Sequence, residues 1–309
     1  MEWTDPDWLA EAHAWIAAHV SPTGEIEQPH VRPWSTVMRV PTADGPVWFK
    51  ANGPEQLFEA ALVGVLAEER PDAVPPLLAV DVERGWMLMA DAGERLREIV
   101  VRERSLAGWL EIMPLYAGLQ IDLAPRAEEL VALGVPDLRL AVLPGKLEAL
   151  LDQVSGRLGD EAFEMRLREK LPWVREACDE LASYRIPETI QHDDFHDGQV
   201  FVKDGHYLLM DWGDACVSHP FFTLSVTLEG GLAWGIDDIE SSEDVAPYRT
   251  AYLAEFADYG TPAELDRAAD LSLRLGWACR SVNGDIPGDT DGPAVRLRMF
   301  LDGSPEAPD

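Results

Sequence analysis

The segment Thr189–Ala215, TIQHDDFHDGQVFVKDGHYLLMDWGDA, leaves its chain few ways to fold. It starts with a short apolar run and then sets five ionisable or imidazole side chains among the six positions from His192 to Asp197. Two strand-like stretches follow, Val200-Phe201-Val202 and Tyr207 to Met210, rich in β-branched and aromatic residues. Asp204-Gly205 between them supplies the positive φ of a tight hairpin. Asp194 therefore precedes the first strand, and Asp211 follows the second. Antiparallel pairing brings the two ends of a hairpin together, so two carboxylates that repel each other unaided meet near Gln199. Such a cluster calls for a cation.

These residues carry a resemblance. His192-Asp193-Asp194, four residues and then Gln199 resembles the catalytic loop His-x-Asp-x4-Asn of the protein-kinase-like phosphotransferases, and Asp211-Trp212-Gly213 resembles their metal-binding Asp-Phe-Gly. The aminoglycoside phosphotransferase and choline kinase branch is the most similar, with a loop that usually reads HGDxHxxN and a later strand that ends in IDW or IDF. The sequence departs from that pattern at Asp193, where glycine is usual, and at Gln199, where asparagine is usual. Gln199 keeps the amide oxygen a metal needs but sets it one methylene further out.

The resemblance implies an α+β, protein-kinase-like, two-lobed fold, with a small β-rich N-terminal lobe over 1–91 and a larger, mainly helical catalytic and acceptor-binding lobe over 92–309. It implies transfer of the γ-phosphoryl group of ATP or GTP to a hydroxyl of a small polar molecule. In that reading Asp194 orients the attacking hydroxyl and accepts its proton, Asp211 and Gln199 hold Mg²⁺, and His192 braces the loop. His196 and Asp197 face the acceptor. Two other readings stay open. The His192/His196 pair with its aspartates could serve a metal-dependent phosphohydrolase, although i,i+4 spacing faces one way only on a helix and the flanks here read as strand and turn. A catalytically inactive nucleotide-binding module of the same fold is the other.

Upstream, Thr4 with Asp5-Pro6-Asp7 reads as a helix start capped by Thr4, and the helix runs to about Val20 with Trp8 and Ile16 on its apolar side. From Ile26 to Ala51 the pattern alternates as strands do, with a turn at Thr42–Pro46 between Val37–Val40 and Val47–Lys50. Lys50 is one of only four lysines among 25 basic residues, and a lysine in an apolar strand is then hard to assign to chance. The resemblance makes it the residue that touches the α- and β-phosphates, with Glu59, beside the apolar stripe of the helix after Asn52-Gly53-Pro54, holding it. There is no G-x-G-x-x-G, so the loop with Ser35 and Thr36 would cover the phosphates instead. Leu77–Val82 and Trp86–Met89 form a second hairpin, and Met89, Ala90 and Asp91 fall where the family crosses between lobes and binds adenine through its main chain. Helices are expected over Leu106–Leu123, kinked at Pro114, then Lys146–Leu158, Glu161–Tyr184 and Pro220–Leu232, and from a capping box at Thr261–Glu264 to about Cys279. The tail from Asp302 reads as disordered.

Composition narrows the partners. A formal net charge of −31 disfavours nucleic acid and anionic membranes. No stretch approaches eighteen uninterrupted apolar residues, and MEWTDPDW lacks the basic start of a signal peptide, which makes the cytoplasm the expected compartment. Cys178, Cys216 and Cys279 have no metal-ligand spacing and read as reduced, with Cys216 near the site. The segment after the metal loop carries Asp214, Glu229, Asp237 and further acids, with no Lys or Arg between Lys203 and Arg249. In this fold the corresponding helices form the acceptor side of the cleft. Asp214, Glu229 and Asp237 are therefore expected to meet an amino sugar, an aminoglycoside or a related hydroxylated amine.

Overall fold

A computed structural model describes residues 3–239, 241–284 and 292–303. The chain opens with α1 (Pro6–His19), capped by Asp5, whose carboxylate accepts from the amides of Asp7 and Trp8. Thr4 does not cap the helix. Pro6 can only occupy the first helical turn, where its missing N–H costs nothing, and this places the cap one residue later than the sequence suggested.

Five strands follow: β1 (Glu27–Val31), β2 (Ser35–Thr42) and β3 (Gly45–Asn52), then, after α2 (Phe58–Glu69), β4 (Leu77–Asp81) and β5 (Trp86–Ala90). They form one antiparallel sheet in the order β1-β2-β3-β5-β4. β3 is its central strand, and Lys50 pairs across to Val37 on one side and Met87 on the other. The lysine therefore leaves the middle of a sheet, not a wet edge. α1 covers one face, where Trp8 and Trp15 meet Trp86 edge-on at centroid separations of 6.0 and 5.8 Å over a core of Met38, Phe49 and Leu88. α2 turns its apolar side, Phe58, Leu62, Val63 and Leu66, toward the larger core shared with the helices below.

A short strand, β6 (Glu94–Arg95), then leads to α3 (Leu96–Glu103), α4 (Trp109–Leu123), α5 (Ala127–Ala132), α6 (Leu143–Val154) and α7 (Glu161–Ala182). α4 starts later than Leu106 because Ser105 Oγ caps Ala107 N in a preceding turn, and it continues through Pro114. Next come β7 (Thr189–Gln191), the hairpin β8 (Val200–Lys203) and β9 (His206–Leu209), and β10 (Cys216–Ser218). α8 (Ala246–Ala254), α9 (Pro262–Asn283) and α10 (Gly292–Asp302) complete the described chain. The capping box forms as expected, with Thr261 Oγ1 and the Glu264 carboxylate each satisfying the other's backbone. α9 runs on to Asn283, four residues beyond Cys279, and those residues enter the site. Pro220–Leu232 is not one regular helix: a 3₁₀ turn at Pro220–Phe222 is followed by a π-helical turn at Ser225–Gly231. Gly230-Gly231 weakens the regular repeat, and close packing on α9 replaces it. Ser225 Oγ donates to the carbonyls of Ser272 and Leu273, and a side chain at Gly276 would collide with that hydroxyl. No helix among the described residues is long and apolar enough to cross a membrane. Residues 304–309 of the expected disordered tail lie outside the described residues.

Candidate active site

Two short ladders hold the loops that carry Asp194 and Asp211. β7 pairs with β10, Gln191 opposite Cys216, and β8 pairs with β9, Val200 opposite Leu209. The loop 192–199 and the loop 210–215 are thus fixed at both ends by the same two pairings, and Met210 N donates to Gln199 O between them at 2.9 Å. Each loop reverses at an aspartate with positive φ, 64° at Asp193 and 63° at Asp211. This gives the first departure from the family pattern a physical meaning. Position 193 still takes the backbone conformation that favours glycine, and aspartate is among the few side chains that tolerate it.

The Asp193 side chain turns into the protein. It is 2% exposed and accepts from Gln191 Nε2 at 3.0 Å and from Asn283 Nδ2 at 2.9 Å, with Arg280 Nη1 3.5 Å away. Burial pushes its pKa up to about 6, against the pull of Arg280. His192 is buried as well. Its Nε2 lies 2.8 Å from the Met210 carbonyl, and its Nδ1 accepts from Asp194 N at 3.4 Å. Burial lowers its pKa, so the ring is neutral with the proton on Nε2, and it links the two loops as a brace.

Asp194 sits where three side chains converge. Its Oδ1 accepts from Arg280 Nη2 at 2.7 Å, and its Oδ2 accepts from Gln199 Nε2 at 3.1 Å with His196 Nε2 at 3.4 Å. Burial works to raise its pKa, but the hydrogen bond from His196 and the charge of Arg280 hold it far below the usual carboxylate range. The same contact and Asp197 overcome the burial of His196 and raise its pKa to about 9.

Lys50 reaches this region from β3. Its Nζ donates to Glu59 Oε1 at 2.8 Å and to Asp211 Oδ1 at 2.6 Å, and Asn52 Nδ2 holds the other Glu59 oxygen at 2.7 Å. Burial alone would lower the ammonium pKa; the charges of Asp211 and Glu59 reverse that and raise it. The three groups lie on the wall of a cavity of about 400 Å³ between the sheet and the hairpin, otherwise lined mainly by Val37, Val63, Met89, Phe201 and Leu209. A flat, apolar cleft with a few polar groups at one end suits a nucleotide.

The structure sorts the remaining expected residues. Ser35, Met89, Asp91 and Gln199 line this cavity together with Lys50, Glu59 and Asp211. Thr36 is turned away, its Oγ1 donating to the His30 carbonyl, and Ala90 gives its N–H to the Pro76 carbonyl. Asp91 Oδ1 accepts from Trp48 Nε1 at 2.8 Å. On the other side of the loop a second cavity, about 440 Å³, is lined by His196 and Asp197 but not by Asp214, Glu229 or Asp237. These three carboxylates are engaged elsewhere: Asp214 with Arg280 Nη1 at 2.9 Å, Glu229 with Trp277 Nε1 at 2.7 Å, and Asp237 with both terminal nitrogens of Arg104 at 2.5 and 2.7 Å. Three acids of the base-free stretch from 204 to 248 meet arginines from elsewhere in the chain: Asp214 meets Arg280, Asp237 meets Arg104, and Glu229 has Arg274 at 3.8 Å.

Sequence reasoning missed Arg280 and Asn283, both on α9. Arg280 is buried among three carboxylates, and Asn283 Nδ2 also donates to the Asp214 carbonyl at 2.6 Å. The available signal was a lone arginine after the apolar run Gly276-Trp277-Ala278-Cys279, where a charge needs a partner. Cys216 is joined near the site by Cys279, with sulfurs 3.9 Å apart. Both lie close to Asp193, but Gln191 Nε2 stands among the three, 3.0 Å from the carboxylate and 3.7 and 4.0 Å from the sulfurs, so the group is a hydrogen-bonded knot.

Relatives place this geometry. A search of curated proteins finds no match. Among solved structures, the GDP and kanamycin complex of APH(2″)-IIIa is similar over 94% of this chain and 97% of its own, at 14% identity and a TM-score of 0.64. An ethanolamine kinase from Plasmodium vivax matches 93% of this chain and 85% of its own, at 10% identity and a TM-score of 0.59. A macrolide 2′-phosphotransferase from Brachybacterium faecium, without ligand, matches 93% and 97%, at 16% identity and a TM-score of 0.56. At such identities these likenesses speak for a kinase-like fold alone. The sequence itself matches, over residues 36–265, the family model described as the phosphotransferase enzyme family, and the chain belongs to that family: it is a small-molecule phosphotransferase that acts on hydroxyl groups.

Proposed function

We propose that the protein transfers the γ-phosphoryl group of ATP or GTP to a hydroxyl of a small acceptor that occupies the second cavity. The observation that carries this reading is the position of Asp194. Its Oδ2 touches Gln199, on the wall of the first cavity, and lies beside His196, on the wall of the second, so the carboxylate stands between the two. Residues 1–91 contribute most of the nucleotide cleft, and residues 92–309 contribute the loop and the acceptor side.

In this mechanism Lys50, kept charged and oriented by Glu59, offsets phosphate charge. Asp194 stays ionised throughout the working pH range. It orients the acceptor hydroxyl and takes its proton as the oxygen bonds to the γ-phosphorus and the bond from that phosphorus to the bridging oxygen breaks, releasing nucleoside diphosphate. Arg280 fixes the carboxylate from behind through Oδ1. His192 and the two ladders keep the loops in register. The donors near the phosphates suit Mg²⁺: the Asp211 side chain is half exposed to the cleft, and the Gln199 amide, having given its nitrogen to Asp194, has its oxygen left to offer. Bound there, Mg²⁺ would neutralise charge on the phosphate oxygens as it shifts.

An aminated acceptor, expected from the acidic segment, now rests on Asp238 at the second cavity, since Asp197, Asp214, Glu229 and Asp237 have other partners. The test is an acceptor screen with ATP and with GTP, read as nucleoside diphosphate release. Release that depends on both nucleotide and acceptor is expected. Phosphate released from simple esters without nucleotide would instead identify a hydrolase.

A further inference from the structure

The second cavity says more about the acceptor than the net charge of the sequence does. Four ionisable groups line it: Arg97, His196, Asp197 and Asp238. Arg97 donates to Asp197 Oδ1 from Nε at 2.9 Å and from Nη2 at 2.7 Å, and His196 Nδ1 lies 3.6 Å from the same oxygen. Asp197 thus already serves Arg97 and His196, and Asp238 is the one acid of this wall that no side-chain hydrogen bond engages among the described residues. The wall therefore offers a single carboxylate to an ammonium group, too few for a polycation. The rest of the wall combines Thr227 and the backbone at Gly230, Gly231 and Gly235 with one apolar side formed by Val100, Val101, Leu106, Leu232, Trp234 and Ile236. Trp109 also lines the cavity. It is 2% exposed and stands edge-on to Phe195 at a centroid separation of 5.5 Å, so it backs the wall with apolar surface.

We propose that this cavity binds the acceptor through an apolar face, and that the acceptor is a hydroxylated molecule with no more than one ammonium group, a sugar or polyol joined to an apolar group. The inference rests on the phosphotransferase reading and narrows its substrate class. A second or third ammonium would be stripped of water beside Trp234 and Leu232 with no free carboxylate to replace it, and such desolvation is unfavourable. An aryl or alicyclic group would instead displace poorly held water from those side chains.

Binding can be measured without turnover, by calorimetry with ADP held at saturation and about 0.15 M salt to screen the surface charge. The probes are methyl β-glucopyranoside, phenyl β-glucopyranoside and kanamycin. The phenyl glucoside should bind at least about tenfold more tightly than the methyl glucoside, a difference of about 1.4 kcal/mol. Kanamycin should bind no more tightly than the methyl glucoside. Trp234→Ala and, at the exposed rim, Val101→Glu should each remove the advantage of the phenyl group, with the ADP titration reporting an intact fold. Equal affinity of the two glucosides, absence of phenyl glucoside binding, kanamycin tighter than the methyl glucoside by tenfold, or an advantage that survives both substitutions would each overturn the proposal. Any of these would leave phosphoryl transfer standing, whereas failure of ADP itself to bind would strike at the phosphotransferase reading.

Discussion

Replacing Arg280 by methionine removes one cation from among three carboxylates, keeps an unbranched apolar stem, and should be among the most damaging single changes in the site. Arg280 is 7% exposed, and its guanidinium lies 2.7 Å from Asp194, 2.9 Å from Asp214 and 3.5 Å from Asp193. Breaking a buried pair from one side leaves an uncompensated charge and costs about 3–5 kcal/mol. With unfolding entropy near 2.1 cal/mol/K per residue, a chain of 309 residues loses stability by about 0.65 kcal/mol per degree near its midpoint, so Tm should fall by about 5–8 °C at pH 7. Acid should partly repair the variant. In the wild type the folded pKa of Asp194 is depressed, so its contribution to stability is present above the ordinary carboxylate range and is lost as pH falls. Without Arg280 the sign reverses for the cluster. The folded pKa values rise, that of Asp193 from its wild-type value of about 6, and the variant regains stability as pH falls from 7 to 5.5. Thermal unfolding of both proteins at the two pH values measures this. A Tm loss under about 2 °C at pH 7, or a loss that does not shrink at pH 5.5, would refute the view that Arg280 neutralises this cluster.

Three further outcomes are expected. Lys50→Ala should lower nucleotide affinity and turnover, Glu59→Ala should do so more mildly, and the double variant should be little worse than Lys50→Ala alone because Glu59 acts through Lys50; fully additive losses in kcat/KM would separate the two roles. Asp211→Ala should shift the Mg²⁺ and nucleotide titrations together, and an unchanged Mg²⁺ titration would remove Asp211 from the metal site. His196, with its folded pKa raised to about 9, contributes stability that is full below its ordinary value of 6.5 and lost as pH rises through 9, so the wild type's advantage over His196→Gln in urea unfolding should shrink between pH 6 and pH 10; an advantage that stays constant contradicts the contact with Asp194 and Asp197.

The parts of this fold that the sequence made legible are those governed by local rules. The Asp-Gly turn and its flanking strands announce β8 and β9, and antiparallel pairing then brings Asp194 and Asp211 to one end. The capping box at Thr261 depends on four residues. The pairing of Lys50 with Glu59 comes from the family resemblance and not from a local rule, since Glu55 and Glu68 lie on or beside the same helix. Arg280 and Asn283 were accessible in neither way. They meet the catalytic loop only after α9 has packed back across it, and no local pattern encodes that contact. The acceptor argument failed to anticipate partners for the same reason: an acidic stretch without nearby bases in sequence gains Arg104, Arg274 and Arg280 in space. The wide turn at Ser225–Gly231 departs from the helix that the apolar content of Pro220–Leu232 predicts, because apolar content reports burial and says little about the pitch of the backbone when glycine lets a neighbour approach.

The most direct test of the account is turnover by Asp194→Asn, which keeps the shape of the side chain and removes the proton acceptor. With ATP, Mg²⁺ and an acceptor found by the screen, kcat should fall by at least about 10²-fold while nucleotide affinity is largely retained. Turnover at the wild-type rate would contradict the role of Asp194 as the proton acceptor between the two cavities.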